Sequence, residues 1–328
     1  MSDLAAPRFP HAQRDEGLYE SYFLKAHHPE RPRAFWMRHT IHKRPGHEVI
    51  GSVWLTLFDA DAKEPVKATK ENFAADAVSP DGYVKVGDSW LRPGAATGRV
   101  PGTTWDFAFE TDEPEQRHLP NDWMYTAAVP RTKSLTPHPA ARFEGKLGRW
   151  DLDGWTGVVS HNWGTEHAER WIYQHCCHFA GHDEHTWLEF VTGRIKVGPV
   201  TTPWLANGAL QIDGERHRLG GPQRARATKV DEHATHARFV LTGDGVRVEG
   251  ELAAPRERFV AWRYASPAPG TDERHSVHCS IADLRIHVRR RDREDVELIA
   301  PAAATYELGM RPDDEHGIPL QPYEDGVK

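Results

Sequence analysis

Apolar and polar residues alternate along much of the chain with the two-residue period that is typical of β-strands. In segment 35–42 (FWMRHTIH) the odd positions carry Phe, Met, His and Ile, whereas the even positions carry Trp, Arg, Thr and His. Segment 52–58 (SVWLTLF) is rich in residues that favour strands, and the turn residues 44–47 separate the two segments. The pattern therefore predicts a β-hairpin over these residues.

Short strand-like segments continue to the end of the chain, separated by glycine and proline. Segment 103–110 is one example, and 246–252 is another. The turn TGDG at 242–245 is a strong hairpin signal, because glycine adopts the positive φ that a tight turn needs. Segment 66–78 has a weak helical periodicity instead, and we expect a short helix there.

The spacing of these strands predicts an all-β protein, built from barrel or sandwich domains with little helix. With 328 residues the chain is long enough for two domains of ordinary size. The pattern pauses around 198–203 (GPVTTP), and the first residues are polar with prolines among them. We expect a flexible N-terminal arm (1–15), a first β domain (16–198) and a second β domain (199–328) that pack together.

Composition and charge exclude several classes of protein. The 48 acidic and 41 basic residues give a net charge of −7, which argues against a nucleic-acid partner. No apolar stretch approaches the roughly 18 residues of a transmembrane helix, and the start lacks the apolar core of a secretory signal. Three cysteines do not form an even set of disulfides, so we expect a cytoplasmic protein without a transmembrane segment.

Aromatic, imidazole and carboxylate side chains are concentrated in one part of the chain. Segment 154–167 (GWTGVVSHNWGTEH) is followed at once by the strand-like segment 170–175 (RWIYQH). In a strand, His161 and Trp163 share one face, whereas Asn162 lies on the other face. The first segment therefore presents an imidazole and an indole side by side.

The second segment repeats the arrangement. Trp171, Tyr173 and His175 lie on one face of the predicted strand, because they are two residues apart. Indole, phenol and imidazole groups in a row form a suitable wall for a cavity in a barrel. Such a cavity holds an apolar ligand and offers it a few polar anchors.

Two short motifs resemble those of a known superfamily. The tetrad HNWG (161–164), followed by a tryptophan-bearing strand, resembles the His-x-Trp-Gly signature of the lipocalin-like superfamily that contains carotenoid 1,2-hydratase, tocopherol cyclase and lipocalin-type Diels–Alderases. A second match is ESYF (20–23), at the place of the Glu-Trp-Trp-Tyr segment of that superfamily. Here Ser21 and Tyr22 replace the tryptophan pair. The resemblance spans most of the chain in layout.

The resemblance implies two lipocalin-like β domains with a pocket near their junction, which act without an organic cofactor on isoprenoid- or polyketide-like substrates. Protonation of an alkene requires an acid in a dry cavity and aromatic faces that stabilise positive charge. Glu166 and Glu20 are the candidate acids by position, because burial near apolar rings keeps a carboxylic acid protonated to higher pH. His161 is a further candidate donor, or it orients one.

The substrate-binding residues expected on this basis are the aromatic and polar side chains of the same segments, namely Tyr22, Asn162, Trp163, Trp171, Tyr173 and His175. A pericyclic reaction requires no acid, only a cavity that holds the reactive conformer. We therefore predict a hydratase, cyclase or isomerase for a hydrophobic small molecule. The alternative is a carrier or sensor that binds a lipophilic ligand without changing it.

The candidate residues also have structural interpretations. His161 and Trp163 are equally well a packed pair at the end of a strand. Glu166 follows a glycine in a predicted loop, where a solvated charge is as common as a buried acid. Glu20 is, on the same view, an ordinary ion-pair partner.

A rival site lies in the histidine-rich segment after residue 175. His178, His182 and His185, together with Cys176 and Cys177, are residue types that bind zinc. His182 and His185 fall in a predicted hairpin turn, and together with His178 they can still converge on a metal, but the segment contains no Cys-x-x-Cys pair. We therefore predict no metal, and the resemblance implies that there is no cofactor.

Overall fold

The computed structural model describes residues 3–12, 17–183, 185–197, 200–267 and 273–323. Nearly all regular structure in these residues is antiparallel β-strand, arranged in two curled sheets, one a nearly closed barrel and the other a half-barrel. The predicted all-β fold is therefore confirmed. No helix in the described part of the chain is long and apolar enough to cross a membrane.

The first sheet contains thirteen strands within the described residues. They are β1 (Leu18–His27), β2 (Arg33–Lys43), β3 (Ile50–Asp59), β4 (Val66–Ala74), β5 (Val78–Ser79), β6 (Val84–Val86), β7 (Ser89–Arg92), β8 (Ala95–Val100), β9 (Thr103–Glu110), β10 (Gln116–Arg117), β11 (Thr132–Leu147), β12 (Trp150–Asp151) and β13 (Trp155–Gly164). The strand order is β4-β3-β2-β1-β13-β11-β9-β8-β7-β6-β5, and both β10 and β12 pair with β11.

The second sheet contains ten strands in the same described ranges, and a separate two-stranded ribbon joins β16 to β17. The strands after β13 are β14 (Arg170–Cys176), β15 (Trp187–Arg194), β16 (Lys196–Val197), β17 (Val200–Thr201), β18 (Leu205–Ile212), β19 (Glu215–Gly220), β20 (Lys229–Glu232), β21 (His236–Thr242), β22 (Val246–Ala253), β23 (Val260–Tyr264), β24 (Arg274–Arg290) and β25 (Val296–Met310). The order in the sheet is β19-β18-β15-β14-β25-β24-β22-β21-β20, and β23 pairs with β24.

The chain passes from the first sheet to the second between Gly164 and Arg170. Strands β14 and β15 pair with β25 and β18 of the second sheet, although they precede the expected boundary at 198/199. The residues at that boundary lie outside the described ranges. The strands begin to pair in the second sheet before the pause in the sequence pattern. Alternation does not reveal this change, because it does not tell which sheet a strand joins. The division into domains at 198/199 stays a prediction.

Residues 66–78 form mainly a strand, so the predicted helix is wrong. Strand β4 pairs with β3 along its whole length, and only Ala75–Ala77 form a 3₁₀ turn. The free edge of β3 offers a row of hydrogen bonds to this segment, and a weak helical periodicity does not compete with them.

The two faces of the first sheet pack against different neighbours. Inward-facing residues of β1, such as Leu24 and Ala26, fill the barrel. On the opposite face, Phe23 joins Trp36 and Trp54 in the core that the first sheet shares with the second. Successive residues of a strand point to opposite faces, so β1 and β2 serve both cores.

The N-terminal segment packs on the barrel over the part that the structure describes. Residues 3–12 include a 3₁₀ turn at Asp3–Ala5, and Ala5 and Phe9 are only 0% and 5% exposed among the barrel residues. This packing differs from the flexible arm that the polar composition predicts. A mostly polar segment still buries its few apolar residues when the end of a barrel accepts them.

Candidate functional site

The predicted site residues fall into two groups on different sides of the first sheet. Glu20, Tyr22, His161 and Trp163 point into the first barrel, whereas Trp171, Tyr173 and His175 belong to the second sheet and face the first. The two groups do not form one continuous wall, because β13 and β14 lie in different sheets.

We call the first group, Glu20, Tyr22, His161 and Trp163, the barrel cluster. In it, the Glu20 carboxylate and the His161 imidazole form a buried pair, and the His161 ring lies between the other two rings. The distance from His161 Nε2 to Glu20 Oε1 is 2.7 Å, and neither side chain is exposed. The His161 ring stacks on Tyr22 at 4.0 Å and on Trp163 at 4.4 Å. The antiparallel register of β1 and β13 places Tyr22 opposite His161, so the strand pairing assembles the cluster.

Glu20 also holds the N-terminal segment. Its Oε1 accepts a hydrogen bond from the backbone N–H of Arg8 at 2.7 Å, and its Oε2 accepts one from Phe9 at 2.7 Å. The Tyr22 hydroxyl donates to the carbonyl of Ala5 at 3.0 Å. Burial lowers the pKa of His161, although the hydrogen bond to Glu20 opposes that change. These contacts favour the structural interpretation of the pair, and its catalytic role stays a prediction.

Asn162 and Glu166 lie apart from both groups. Asn162 is on the face of β13 opposite to His161, next to Ser21 of β1. Glu166 follows β13 and forms an ion pair with Arg131, with 24% of its side chain exposed. A partly solvated, ion-paired carboxylate lacks the dry surroundings that keep a carboxylic acid protonated. The acid role of Glu166 therefore stays a prediction without added support from the geometry.

The second group adjoins a buried polar cluster between the sheets. We call the residues Lys25, Tyr173, Glu189, His278 and Glu307 the inter-sheet cluster. The Lys25 side chain is fully buried, and its Nζ lies 3.8 Å from Glu307 Oε2 and 4.0 Å from the centre of the Tyr173 ring. The Tyr173 hydroxyl donates to Glu189 at 3.1 Å, and Glu189 also accepts a hydrogen bond from Thr136 at 2.7 Å.

The electrostatics of this cluster suit proton transfer. Burial lowers the pKa of Lys25 to about 7, against the opposing effect of the Glu307 and Glu189 carboxylates. Burial raises the pKa of Tyr173, and the neighbouring Glu189 raises it further. Burial alone would raise the pKa of Glu189, but nearby histidines and hydrogen bonds lower it. The cluster thus combines an amine that titrates near neutral pH with a phenol and a carboxylate.

Several polar atoms of this interior make no hydrogen bond to any residue that the structure describes. They are Lys25 Nζ, Trp36 Nε1, Thr56 Oγ1, Trp262 Nε1, Ser276 Oγ and His278 Nδ1. A buried polar atom without a partner destabilises the protein by about 1–3 kcal/mol, so natural proteins have few of them. Other such atoms occur elsewhere in the described residues, for example in His39 and Tyr83, and these six lie between the sheets, where a polar ligand would satisfy them.

Aromatic rings surround the inter-sheet cluster. The rings of Trp36, Trp54 and Trp262 lie 4.9 to 6.3 Å apart, and Trp36 is 4.8 Å from the ring of His278. The indole of Trp171 donates a hydrogen bond to Glu307 at 3.2 Å. Aromatic faces in such numbers bind apolar ligands and stabilise positive charge.

A cavity of about 670 Å³ opens at one end of the inter-sheet region. Its lining includes the turn between β1 and β2 (28–32), the start of β13 (Gly154 and Thr156), the loop after β14 (177–183) and part of β25 (301–303). The ring of His27, two residues beyond Lys25 in β1, is 6.0 Å from the ring of the lining residue His178. Neither Lys25 nor His27 lines the cavity, and His27, which is about 7 Å along β1 from Lys25, lies between Lys25 and the lining residue His178.

The histidines of the rival metal site do not converge. His178 Nε2 lies 2.6 Å from the Thr156 hydroxyl, and His185 Nδ1 lies 3.7 Å from a carboxylate oxygen of Glu113. His182 is exposed in the turn between them. Within the ranges that the structure describes, no group of three or more His, Cys, Asp or Glu residues is arranged to hold a metal ion.

The sequence analysis missed the charged residues of the inter-sheet cluster. Lys25 and Glu189 lie within buried stretches of β1 and β15, and no motif includes them. The sequence did contain one signal for these residues, because each is a charged residue at a position that alternation assigns to a buried face. The partner Glu307 is far away in sequence and is brought near only by folding.

Comparisons with known proteins bear on the fold. No protein-family model matches the chain, and no curated protein sequence matches it significantly. A candidate AttH protein from Nitrosomonas europaea aligns with 93% of this chain and 96% of its own, with a TM-score of 0.56 and 14% identity. CghA, solved with Sch210972, aligns with 90% of this chain and 89% of its own, with a TM-score of 0.58 and 14% identity. Kievitone hydratase from Nectria haematococca aligns over 89% of both chains, with a TM-score of 0.51 and 10% identity.

These similarities confirm the resemblance at the level of the fold. The chain shares the all-β fold of these proteins over about nine tenths of its length. CghA and kievitone hydratase, two proteins of this architecture, differ from this chain at most sequence positions, so the shared fold by itself does not define the reaction.

Proposed function

We propose that this protein is a cofactor-independent hydratase, cyclase or isomerase for a hydrophobic small molecule of isoprenoid or polyketide type. The observation that carries the proposal is the inter-sheet cluster, in which an amine with a pKa of about 7 is buried against aromatic rings, next to a phenol and two carboxylates. A protein of the same fold is named as a hydratase, and another was solved with a small molecule, which supports the same class of function.

Lys25 is the proposed proton carrier. As an ammonium ion it donates a proton to a substrate alkene that conjugation has made basic, and it becomes a neutral amine. The positive charge on the substrate is stabilised by the rings of Phe23 and Tyr173, whose centres lie 5.0 and 4.0 Å from Nζ. The amine then accepts a proton from the water that adds, or from a neighbouring carbon when the product is an isomer. A pKa near neutral populates both forms of the amine.

Tyr173→Phe tests this arrangement, because it removes the phenol that bonds Glu189 but keeps the ring beneath Lys25. We expect turnover to fall about tenfold or more, while stability falls by only about 1 kcal/mol. The purified protein is incubated with a hydrophobic extract of its own host, and mass spectrometry with chromatography follows the conversion of a compound into an isomer or a hydrate.

Tyr19→Phe is the matched control for that variant. Its hydroxyl lies 2.5 Å from that of Thr132 in β11, which is not a residue of the inter-sheet cluster. We expect its turnover to equal that of the wild type. If Tyr173→Phe also retains full turnover, the phenol has no part in the reaction.

The alternative, a carrier or sensor, predicts binding without conversion. Native mass spectrometry would then show a retained lipophile that the incubation returns unchanged. If conversion occurs and survives in both Lys25→Met and Tyr173→Phe, the chemistry lies elsewhere. Glu166→Gln and Glu20→Gln are the variants to examine in that case, and loss of turnover with an unchanged melting temperature would identify the acid.

A cytoplasmic location is part of the proposal. Cys176 and Cys279 are free and buried, which supports a reducing compartment.

A further inference from the structure

Three side chains that meet at the wall of the cavity have no part in the reaction proposed above. Cys177 and His178 directly follow β14, and Thr156 is the second residue of β13. All three line the cavity of about 670 Å³. Because β13 and β14 belong to different sheets, the packing of the two sheets brings these residues together.

The three side chains form a continuous chain of contacts. Cys177 Sγ lies 3.4 Å from Thr156 Oγ1, and Thr156 Oγ1 lies 2.6 Å from His178 Nε2. In the tautomer of His178 that carries its proton on Nδ1, the thiol donates to the hydroxyl and the hydroxyl donates to the imidazole. This is the order of groups that activates a nucleophile through an adjacent base.

Cys177 differs in its surroundings from the other two cysteines. Cys176 and Cys279 are packed in the hydrophobic core that includes the second sheet. Burial raises the pKa of the Cys176 thiol, and it raises the pKa of Cys279 to about 12. A thiol in such surroundings stays protonated and unreactive. Cys177 is also buried, at 1% exposure, in a small cluster with Ala140 and Trp187, but it borders a cavity and has a hydroxyl and an imidazole beside it.

A buried histidine lies behind this wall, next to His178. His27 is 1% exposed, its ring lies 6.0 Å from that of His178, and neither ring nitrogen makes a hydrogen bond of normal geometry to a residue of the described ranges. A buried imidazole in this condition is rare in natural proteins. The cavity wall therefore combines a potential nucleophile with a hydroxyl and an imidazole, and a second buried imidazole lies behind it.

We propose that Cys177, Thr156 and His178 form a thiol–hydroxyl–imidazole relay that adds the Cys177 sulfur to α,β-unsaturated carbonyl compounds. The thiol proton passes through the Thr156 hydroxyl to His178 as sulfur bonds to the β-carbon. The π electrons of the C=C bond move through the conjugated system to the carbonyl oxygen, which becomes an enolate. Reversal of these steps expels sulfur and restores the C=C bond and the thiol proton.

The addition makes the cavity an isomerisation site. The former double bond is single in the adduct and rotates freely, so expulsion of sulfur after rotation gives the geometric isomer. Atoms and electrons balance without an oxidant, a reductant or a cofactor. The substrate class is an apolar enone or enal, because Phe179, Ala180 and Pro301 line the same cavity. Its volume falls in the range of small-molecule sites.

The isomerisation step rests on the proposed function. The reactivity of the thiol does not, because it is measured without the natural substrate. The probe is 3-nonen-2-one, an apolar enone, at neutral pH, and intact-mass and peptide mass spectrometry follow the rate of adduct formation. We expect one adduct, on Cys177, while Cys176 and Cys279 in the same folded molecules stay unmodified.

Variants of Thr156 test whether the rate of adduct formation depends on the relay or only on how easily the probe reaches Cys177. Thr156→Val keeps the shape and removes the hydroxyl, so the rate should fall about tenfold or more, and His178→Gln should lower it similarly. Thr156→Ser restores the hydroxyl and should return the rate to within about twofold of the wild type. The melting temperature of each variant verifies folding, and the His178→Gln result decides alone if Thr156→Val does not fold.

Two outcomes would overturn the inference. One is labelling of Cys176 or Cys279 as fast as Cys177, and the other is a wild-type labelling rate in both Thr156→Val and His178→Gln. The proposed function fails separately, since it predicts loss of turnover in Tyr173→Phe, a variant in which the relay is intact and Cys177 labels at the wild-type rate.

Discussion

Replacement of Glu20 by alanine is expected to lower the free energy of unfolding by about 3–5 kcal/mol and to release the N-terminal segment from the barrel. The carboxylate is fully buried, and it accepts hydrogen bonds from the N–H groups of Arg8 and Phe9 in addition to its contact with His161. Alanine leaves those donors and the imidazole without an acceptor in a dry interior. Each unsatisfied donor contributes about 1–3 kcal/mol to the loss.

Chemical denaturation measures the stability of the Glu20 variant, and limited proteolysis followed by N-terminal sequencing detects release of residues 3–12. Glu20→Gln retains the shape and one acceptor oxygen, so we expect a smaller loss. Glu144→Ala removes an exposed carboxylate from β11 of the same sheet and should change stability by less than about 0.5 kcal/mol. Equal stability of Glu20→Ala and the wild type would mean that the barrel cluster does not hold the segment.

The local geometry of the site was predictable because alternation is a local property. The pattern places His161 and Trp163 on one face of their strand and Trp171 and Tyr173 on one face of the next, and the structure has the same arrangement. The motif HNWG was visible because its residues are consecutive. Its partner Glu20 was a candidate by position, and β1 does pair with β13.

The two segments that we expected to form one wall lie in different sheets, and the topology of the strands explains why. Segments 154–167 and 170–175 are adjacent in the chain, yet β13 pairs with β1 and β14 pairs with β25. The contacts that separate them join residues more than a hundred positions apart, and no local pattern contains that information. The inter-sheet cluster escaped prediction for the same reason, since Lys25 and Glu307 come from opposite ends of the chain.

Lys25→Met is expected to raise stability at neutral pH and to remove a pH dependence that the wild type has between about pH 7 and pH 10.5. Burial lowers the pKa of Lys25 from 10.5 to about 7 in the folded protein. Above the unfolded value the amine is neutral in both states and contributes nothing. As the pH falls through this window, the unfolded chain takes up a proton and the folded protein does not, so the folded state loses stability. Below about pH 7 both states are protonated and the loss stays constant.

The loss amounts to as much as about 1.4 kcal/mol for each pH unit of the window, which makes several kcal/mol in all. Denaturation of the wild type and of Lys25→Met over this pH range gives the difference curve. Lys67→Met, at an exposed position of β4, is the control and should run parallel to the wild type. Glu307 keeps the hydrogen bond from Trp171 in the variant, which limits the disturbance.

The same measurement bears on why a lysine occupies this position. Methionine fills a similar volume among Phe23 and Tyr173 without a charge to desolvate, so packing alone favours it. A more stable Lys25→Met protein without turnover would show that the amine is retained for its chemistry at the expense of stability. A difference curve that is flat across the window would mean that Lys25 has an ordinary pKa, and the proton carrier would then have to be sought at Glu166 or Glu20.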